Sequence, residues 1–375
     1  MKQKTTQPRT TTERPSTLVS LAEKNSFHGV KGMRNMDSNT HFPPAVTKNP
    51  DMEKEQPLIE FFNQQRNYQL LIDQPYLCGN SHHVAVDMSM TNFLYESDVF
   101  LIMVVKSPCW HTKQRSATRS TWANEQWAKK KLGVVVRHAY LLGRCQTRAQ
   151  AIYVAEEAVE HQDILQWDFH DSFRNITLKE VLFLQWYTSR CRNVPYIYKG
   201  DDDVFVNTRA VVRFLLSEMK PEWRHDLMMG STMNGSPRVV DTKSRYYVSY
   251  RLFEGKMYPV YVSGGSFIFS GDLAVRLFNA SLSVRMIPID DAYVGLLMHH
   301  LGVKPRDDDR FKNHGIPKVN TCMLSRIFGF HSMSPTMMVD QWQKLEALGD
   351  EVTSTCGELA KRVEKVRNFL INKWN

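Results

Sequence analysis

The chain has 375 residues, 42% hydrophobic and 11% aromatic with eight Trp, enough for one large core or two ordinary ones. Its net charge of +9 raises the question of nucleic acid, but residues 1–50 hold eight Lys or Arg against three acids and so account for +5 of that excess. The charge left on the remainder is too thin for a polyanion footprint, which argues against a nucleic-acid partner. The longest apolar run, Val99 to Val105, falls far short of the ~20 residues needed to span a membrane, and the chain's start lacks the apolar segment of a secretory leader.

Residues 1–56, rich in Thr, Pro, Lys, Asn and Ser, read as a disordered basic stem, with order expected from Pro57. "FLIMVVKS" predicts a buried strand, "TKQRSATRSTWANEQW" a helix, "VVVRHAYLLG" a second strand and "RAQAIYVAEEAVEHQ" an amphipathic helix. "DILQWDFHDSF" supplies a strand and turn. "TLKEVLFLQWYTSRC" predicts a helix, with Thr177 and Glu180 spaced as a capping box. "VPYIYKG" is a strand ending at three consecutive carboxylates, Asp201, Asp202 and Asp203. A helix over about 208–218, strands at "DLMMGS" and "YPVYVSGGSFIFSG", helices near 271–280 and 291–301, and a helix in "SPTMMVDQWQKLEAL" follow. Alternating strands and helices imply an α/β domain with a mainly parallel central sheet flanked by helices, over residues 57–356. Residues 357–375, with Leu359, Val363, Val366 and Leu370 at helical spacing, read as a C-terminal helical tail docked on the domain.

In open α/β sheets ligands gather at the carboxyl ends of strands. Asp201 and Asp203 share one face of an extended chain, with Asp202 on the other. Two carboxylates aimed at one point repel unless a cation lies between them, and Mn²⁺ or Mg²⁺ takes hard oxygen ligands. The bland alternative is a polar turn. A second triplet, Asp307–Asp309, follows no buried strand and reads as a solvated surface turn. Arg115 and Arg119, i and i+4 on one helix, would present forked donors to a pyrophosphate, with Lys199 as a further anion contact. Asp290 and Asp291 open a helix and serve either as dipole-favoured acids or, one of them, as a general base. Gly264 and Gly265 let backbone approach a ligand. His331 is either a core histidine or a metal ligand beside Asp203.

Six motifs in order resemble the β-1,3-glycosyltransferases of glycosyltransferase family 31. They are "RSATRSTW", "DFHDSFRNITLKE", "KGDDDVFVN", "YPVYVSGGSFIFS", "PIDDAYVG" and "FHSMSP", spread over roughly residues 90–345. The resemblance implies a GT-A fold and a UDP-sugar donor bound through Mn²⁺, with inversion at the anomeric carbon. It implies Asp203 and His331 as metal ligands, with Asp201 on the metal, a metal-bound water or the ribose. Arg115, Arg119, Lys199, Asp202, Gly264 and Gly265 fall at the donor site. Asp291 is implied as the base, ahead of Asp290. "KGDDDVFVN" and "PIDDAYVG" look closer to the N-acetylglucosaminyltransferase branch. That implies UDP-GlcNAc as donor and a galactose-terminated glycan, on glycoprotein or glycolipid, as acceptor. A β-1,3-galactosyltransferase using UDP-galactose and an inactive carbohydrate-binding scaffold are the alternatives. "SGGSF" and "HSMSP" depart from the branch's pattern. A Golgi lumen, a membrane anchor that this chain lacks, and compatibility with a homodimer are further implications.

Six scattered Cys without a CxxC pair do not resemble a zinc site. With sequons at Asn175, Asn234 and Asn279 they favour an oxidising lumen. Proximity to the domain ends suggests the pairs Cys78–Cys109 and Cys322–Cys356.

Overall fold

The computed structural model describes residues 67–79, 99–313 and 321–349, together with Cys356. The expected stem and most of the C-terminal tail lie outside the described residues.

The strands are β1 (Leu70–Ile72), β2 (Val99–Lys106), β3 (Val135–Arg144), β4 (Ile164–His170), β5 (Tyr196–Asp201), β6 (Phe205–Val206), β7 (Met228–Met233), β8 (Tyr261–Ser270), β9 (Arg306–Asp307), β10 (Phe311–Lys312) and β11 (Gly329–Phe330). The α-helices are α1 (Thr112–Arg119), α2 (Glu125–Leu132), α3 (Arg148–His161), α4 (Ile176–Arg190), α5 (Thr208–Arg213), α6 (Gly271–Ser281), α7 (Asp290–His300), α8 (Thr321–Leu324) and α9 (Pro335–Leu348). An eight-stranded sheet runs in the order β1-β4-β3-β2-β5-β8-β7-β9. Its centre, β4-β3-β2-β5, is parallel, while β8 pairs antiparallel with both β5 and β7. A small sheet, β10-β11-β6, stands beside it.

β2 shows why the apolar run is continuous rather than alternating. Leu101, Met103 and Val105 belong to the core on one face, and Ile102 and Val104 to the core on the other. A central parallel strand covered by helices on both sides has no wet face, so Val99 to Val105 are all apolar and only the closing Lys106 is charged. One core gathers residues of α4, α6 and α7, and the other residues of α1, α2, α3, α5 and α9.

Several local expectations are corrected by particular residues. The long helix after β2 is two helices, because Asn124 caps a new one by accepting from Trp127 N at 2.8 Å. The helix after the acidic triplet becomes a single π turn at Phe214–Glu218. Thr177 and Glu180 form no capping box: Thr177 Oγ1 donates to Ile287 O at 2.8 Å, and Glu180 pairs with Lys199. A true box caps α3, between Thr147 and Gln150. In the second triplet Asp307 forms edge strand β9 and accepts from Thr232 N and Oγ1, Asp308 accepts a forked contact from Arg310, and Asp309 is 92% exposed at its side chain.

The disulfides are Cys78–Cys191, Cys109–Cys145 and Cys322–Cys356. The last agrees with expectation, and Cys78–Cys109 is overturned. Cys109 follows β2 and Cys145 follows β3; as these strands are parallel neighbours, their exits lie side by side, 5.5 Å between Cα atoms. Of the sequon asparagines, Asn175 is buried and donates to His170 O at 2.9 Å, whereas Asn234 and Asn279 are exposed. No helix among the described residues is long and apolar enough to cross a membrane.

Candidate active site

The carboxyl ends of β2 and β5 adjoin, and their register sets Lys106 opposite Asp201. The Lys106 ammonium, nearly buried, lies 3.1 Å from Asp201 Oδ1 and 2.6 Å from Asp290 Oδ2, and donates to Gly264 O at 3.3 Å. One cation thus joins three segments of the site. Sequence reasoning missed it, although a Lys closing an otherwise apolar strand next to "YIYKGD" is a readable signal.

His331 follows β11, which pairs antiparallel with β6 just downstream of Asp203, so the two side chains meet. His331 Nε2 lies 3.3 Å from Asp203 Oδ1 and 3.6 Å from Asp201 Oδ2. Ser332, at a φ of 68°, turns the chain there, and Met333 N donates to Asp203 O at 2.8 Å. Ligand atoms of Asp201, Asp203 and His331 all fall within 4.8 Å of one another. Burial, with the charges of Asp201 and Asp202, raises the Asp203 carboxyl above its ordinary range, against the pull of His331. Burial pushes Asp201 up too, but Lys106 and the His331 hydrogen bond outweigh it and hold that carboxyl low. The hydrogen bond to Asp201 raises His331. Two carboxylates and an imidazole converging in this way suit a divalent first-row cation, whose charge would relieve their repulsion.

Asp202 points away, as its alternation requires. It accepts from Ser107 Oγ at 2.6 Å and from His111 Nδ1 at 2.9 Å, so it anchors the loop after β2. Arg115 stands behind that contact. Its guanidinium is fully buried, forks onto Glu157 at 2.8 and 2.7 Å, and donates to Ser107 Oγ, Pro108 O and Cys109 O. Arg119 forks onto Asp163 at 2.6 and 2.8 Å and reaches Glu157 at 2.6 Å. Lys199 is fully buried against Glu180. The pyrophosphate contacts expected of Arg115, Arg119 and Lys199 are therefore corrected: in this structure their charged groups are already committed to Glu157, Asp163 and Glu180. The i, i+4 spacing does put both arginines on one face, but that face is turned into the protein toward acids on α3 and before β4. Arg115→Ala would leave Glu157 with the Arg119 contact alone and remove the donor that backs Ser107 Oγ in its contact with Asp202. Thermal or chaotrope unfolding should show a loss of roughly 3–5 kcal/mol.

Asp290 and Asp291 begin α7 but differ in surroundings. Asp290 is tied to Lys106. Asp291 Oδ2 accepts from Gly264 N at 3.0 Å and Oδ1 from Ala292 N at 2.7 Å. Burial first, then the charge of Asp290, pushes Asp291 up to about 7. A Cβ on Gly264 would sit 3.3 Å from Asp291 Cβ, so glycine permits this close approach. Gly265 has a different role: a Cβ there would meet Asn313 Oδ1 at 2.9 Å, which makes it a packing glycine toward the small sheet.

A mainly parallel α/β sheet flanked by helices, with a carboxylate–imidazole cluster and a second carboxylate pair at its carboxyl edge, is consistent with a GT-A glycosyltransferase. Residues 113–309 match the Galactosyltransferase family, and the chain belongs to it. It is 35% identical over 289 residues to N-acetyllactosaminide beta-1,3-N-acetylglucosaminyltransferase 2 of Homo sapiens, covering 75% of this chain and 67% of that protein. It is 36% identical over 295 residues to the Homo sapiens acetylgalactosaminyl-O-glycosyl-glycoprotein beta-1,3-N-acetylglucosaminyltransferase, covering 75% and 71%. To Beta-1,3-galactosyltransferase 2 of Homo sapiens it is 29% identical over 272 residues, covering 71% and 63%. The chain is a UDP-sugar-dependent β-1,3-glycosyltransferase.

Proposed function

We propose that the protein transfers N-acetylglucosamine from UDP-GlcNAc, with inversion, to the 3-hydroxyl of a terminal β-galactose. The observation that carries the chemistry is the division of labour between adjacent carboxylates: Asp290 is neutralised by Lys106, while Asp291 is left as a base near neutrality. The donor is supported by the names of the relatives at 35 and 36% identity and by the "KGDDDVFVN" and "PIDDAYVG" motifs.

Asp201, Asp203 and His331 would hold Mn²⁺, which when bound neutralises charge gathering on the departing diphosphate. Asp291 takes the proton from the acceptor 3-hydroxyl as its oxygen forms a bond to C1 of the donor sugar. The bond from C1 to the diphosphate oxygen breaks with its electron pair on UDP, so no acid is required. Lys106 holds Asp290 in an ion pair next to the base. Ser107 and His111 hold Asp202, and through it the turn bearing Asp201 and Asp203. A Golgi lumen belongs to the same proposal and is supported by three disulfides.

The test is a panel of UDP-GlcNAc, UDP-galactose and UDP-GalNAc against galactose- and GlcNAc-terminated acceptors, followed by UDP release with and without Mn²⁺. Mn²⁺-dependent turnover of UDP-GlcNAc with the galactose-terminated acceptor is the expected result. Preferential use of UDP-galactose on the GlcNAc-terminated acceptor would overturn the donor assignment.

A further inference from the structure

The connection between β7 and β8, residues 234–260, sends Val248, Leu252 and Tyr258 into one of the two cores and is also folded onto itself. Arg238 N donates to Lys256 O at 2.9 Å, Tyr258 N to Ser236 O at 2.9 Å, and Arg238 Nη1 to Val248 O at 2.9 Å. One root lies beside the base. Met233 pairs with Tyr261, three residues before Gly264, whose N–H donates to Asp291 Oδ2 at 3.0 Å. The far part reaches the turn after β4, where the rings of Phe173 and Tyr246 meet edge to face at 5.2 Å and Arg174 Nη2 approaches Ser244 O at 3.5 Å. That turn is itself held next to the entry of α7, because Thr177 binds Ile287 O, three residues before Asp290. The connection is therefore fixed at both ends, at the strand that carries Gly264 and at the turn after β4.

Its surface is unusual for a solvated loop. Val240, Tyr246, Tyr250, Met257 and Val260 are all exposed, and these five stand among fourteen exposed large hydrophobics in the described residues. Arg245 lies over both the Phe173 and Tyr246 rings, at 4.7 and 4.8 Å, and donates to the Tyr246 hydroxyl at 2.6 Å. The guanidinium thus covers one side of each ring, and the exposed Arg245 and Tyr246 present an aromatic ring with a forked donor against it. Such a unit matches a neutral saccharide, which offers an apolar face of C–H groups and a rim of hydroxyls.

We propose that the Phe173–Arg245–Tyr246 clasp is a carbohydrate subsite, binding the acceptor glycan and setting which acceptors reach Asp291. This rests on the transferase reading for its consequence, but not for its binding test. The probe is a galactose-terminated disaccharide, titrated by calorimetry or ligand-observed NMR into the full chain and its Tyr246→Ala, Tyr246→Phe and Arg245→Ala variants. Hydrolysis of UDP-sugar without acceptor is measured alongside. Tyr246→Ala should weaken disaccharide binding about fivefold to tenfold, with acceptor KM rising in step and acceptor-free hydrolysis unchanged. Tyr246→Phe should restore binding because it keeps the ring. Unaltered disaccharide affinity in Tyr246→Ala would overturn the subsite, as would a parallel fall in hydrolysis, which would mark a collapsed loop. A wild-type chain that binds the disaccharide through Tyr246 but transfers nothing would leave the subsite standing and remove the transferase reading.

Discussion

Asp291→Asn should lower kcat by about 10²- to 10⁴-fold while UDP binds nearly as before. The substitution preserves shape and keeps an acceptor oxygen for one of the two backbone amides, Gly264 N or Ala292 N, but it cannot take a proton. Calorimetric titration of UDP beside turnover with a saturating acceptor separates the two effects, and near-normal kcat would remove the base assignment. The pH dependence follows from the same geometry. The carboxyl sits at about 7, so it must lose its proton before it can act. The wild-type rate should therefore rise roughly tenfold per pH unit below that value and level above it. Asp290→Asn removes the adjacent negative charge, so the rising limb should move to lower pH. The sign for stability is opposite. A carboxyl raised above its unfolded value favours the protonated fold, and that contribution is lost as pH climbs through about 7. Asp291→Asn should accordingly melt at or above the wild-type temperature at pH 8 and show no such advantage near pH 4.

Asp203→Ala should abolish Mn²⁺-dependent turnover by removing one of three converging ligand atoms. His331→Ala should leave a residue of activity recovered at higher Mn²⁺, because both carboxylates remain. The measurement is activity against Mn²⁺ concentration, with metal binding followed separately in the presence of UDP. Asp309→Ala is the control: its side chain is 92% exposed, and metal dependence should be unaltered. Asp202→Ala should behave differently again. It faces Ser107 and His111 rather than the triad, so the expected loss is in thermal stability and kcat with little change in metal affinity. Equal loss of metal affinity in Asp202→Ala and Asp203→Ala would contradict the geometry.

The acidic triplet shows how far a linear reading extends. Its strand, its alternation and its place at the carboxyl end of a buried run were all visible in "YIYKGDDDVFVN", since periodicity and burial are local properties. Asp201 and Asp203 face one point and Asp202 another, as alternation demands. The arginines show where that reading stops. Their i, i+4 spacing says that Arg115 and Arg119 share a face, but a helix surface carries no label for what it meets. Glu157 and Asp163, more than thirty residues away, claim both guanidiniums. Lys199 is similar: its neighbours in sequence suggest a ligand, and its neighbour in space is Glu180.

The alternating strands and helices, the buried strand that delivers the carboxylates and the ordered motifs of the family are all legible along the chain. Each of these is written in periodicity, composition or local spacing. Long-range packing settles that Lys106 bridges Asp201 and Asp290, that Asp291 is held by the Gly264 and Ala292 amides instead, and that Cys109 closes on Cys145. Those outcomes depend on which strands lie side by side and in what register. Sheet order is set by long-range packing of both faces, and no short stretch of chain contains it.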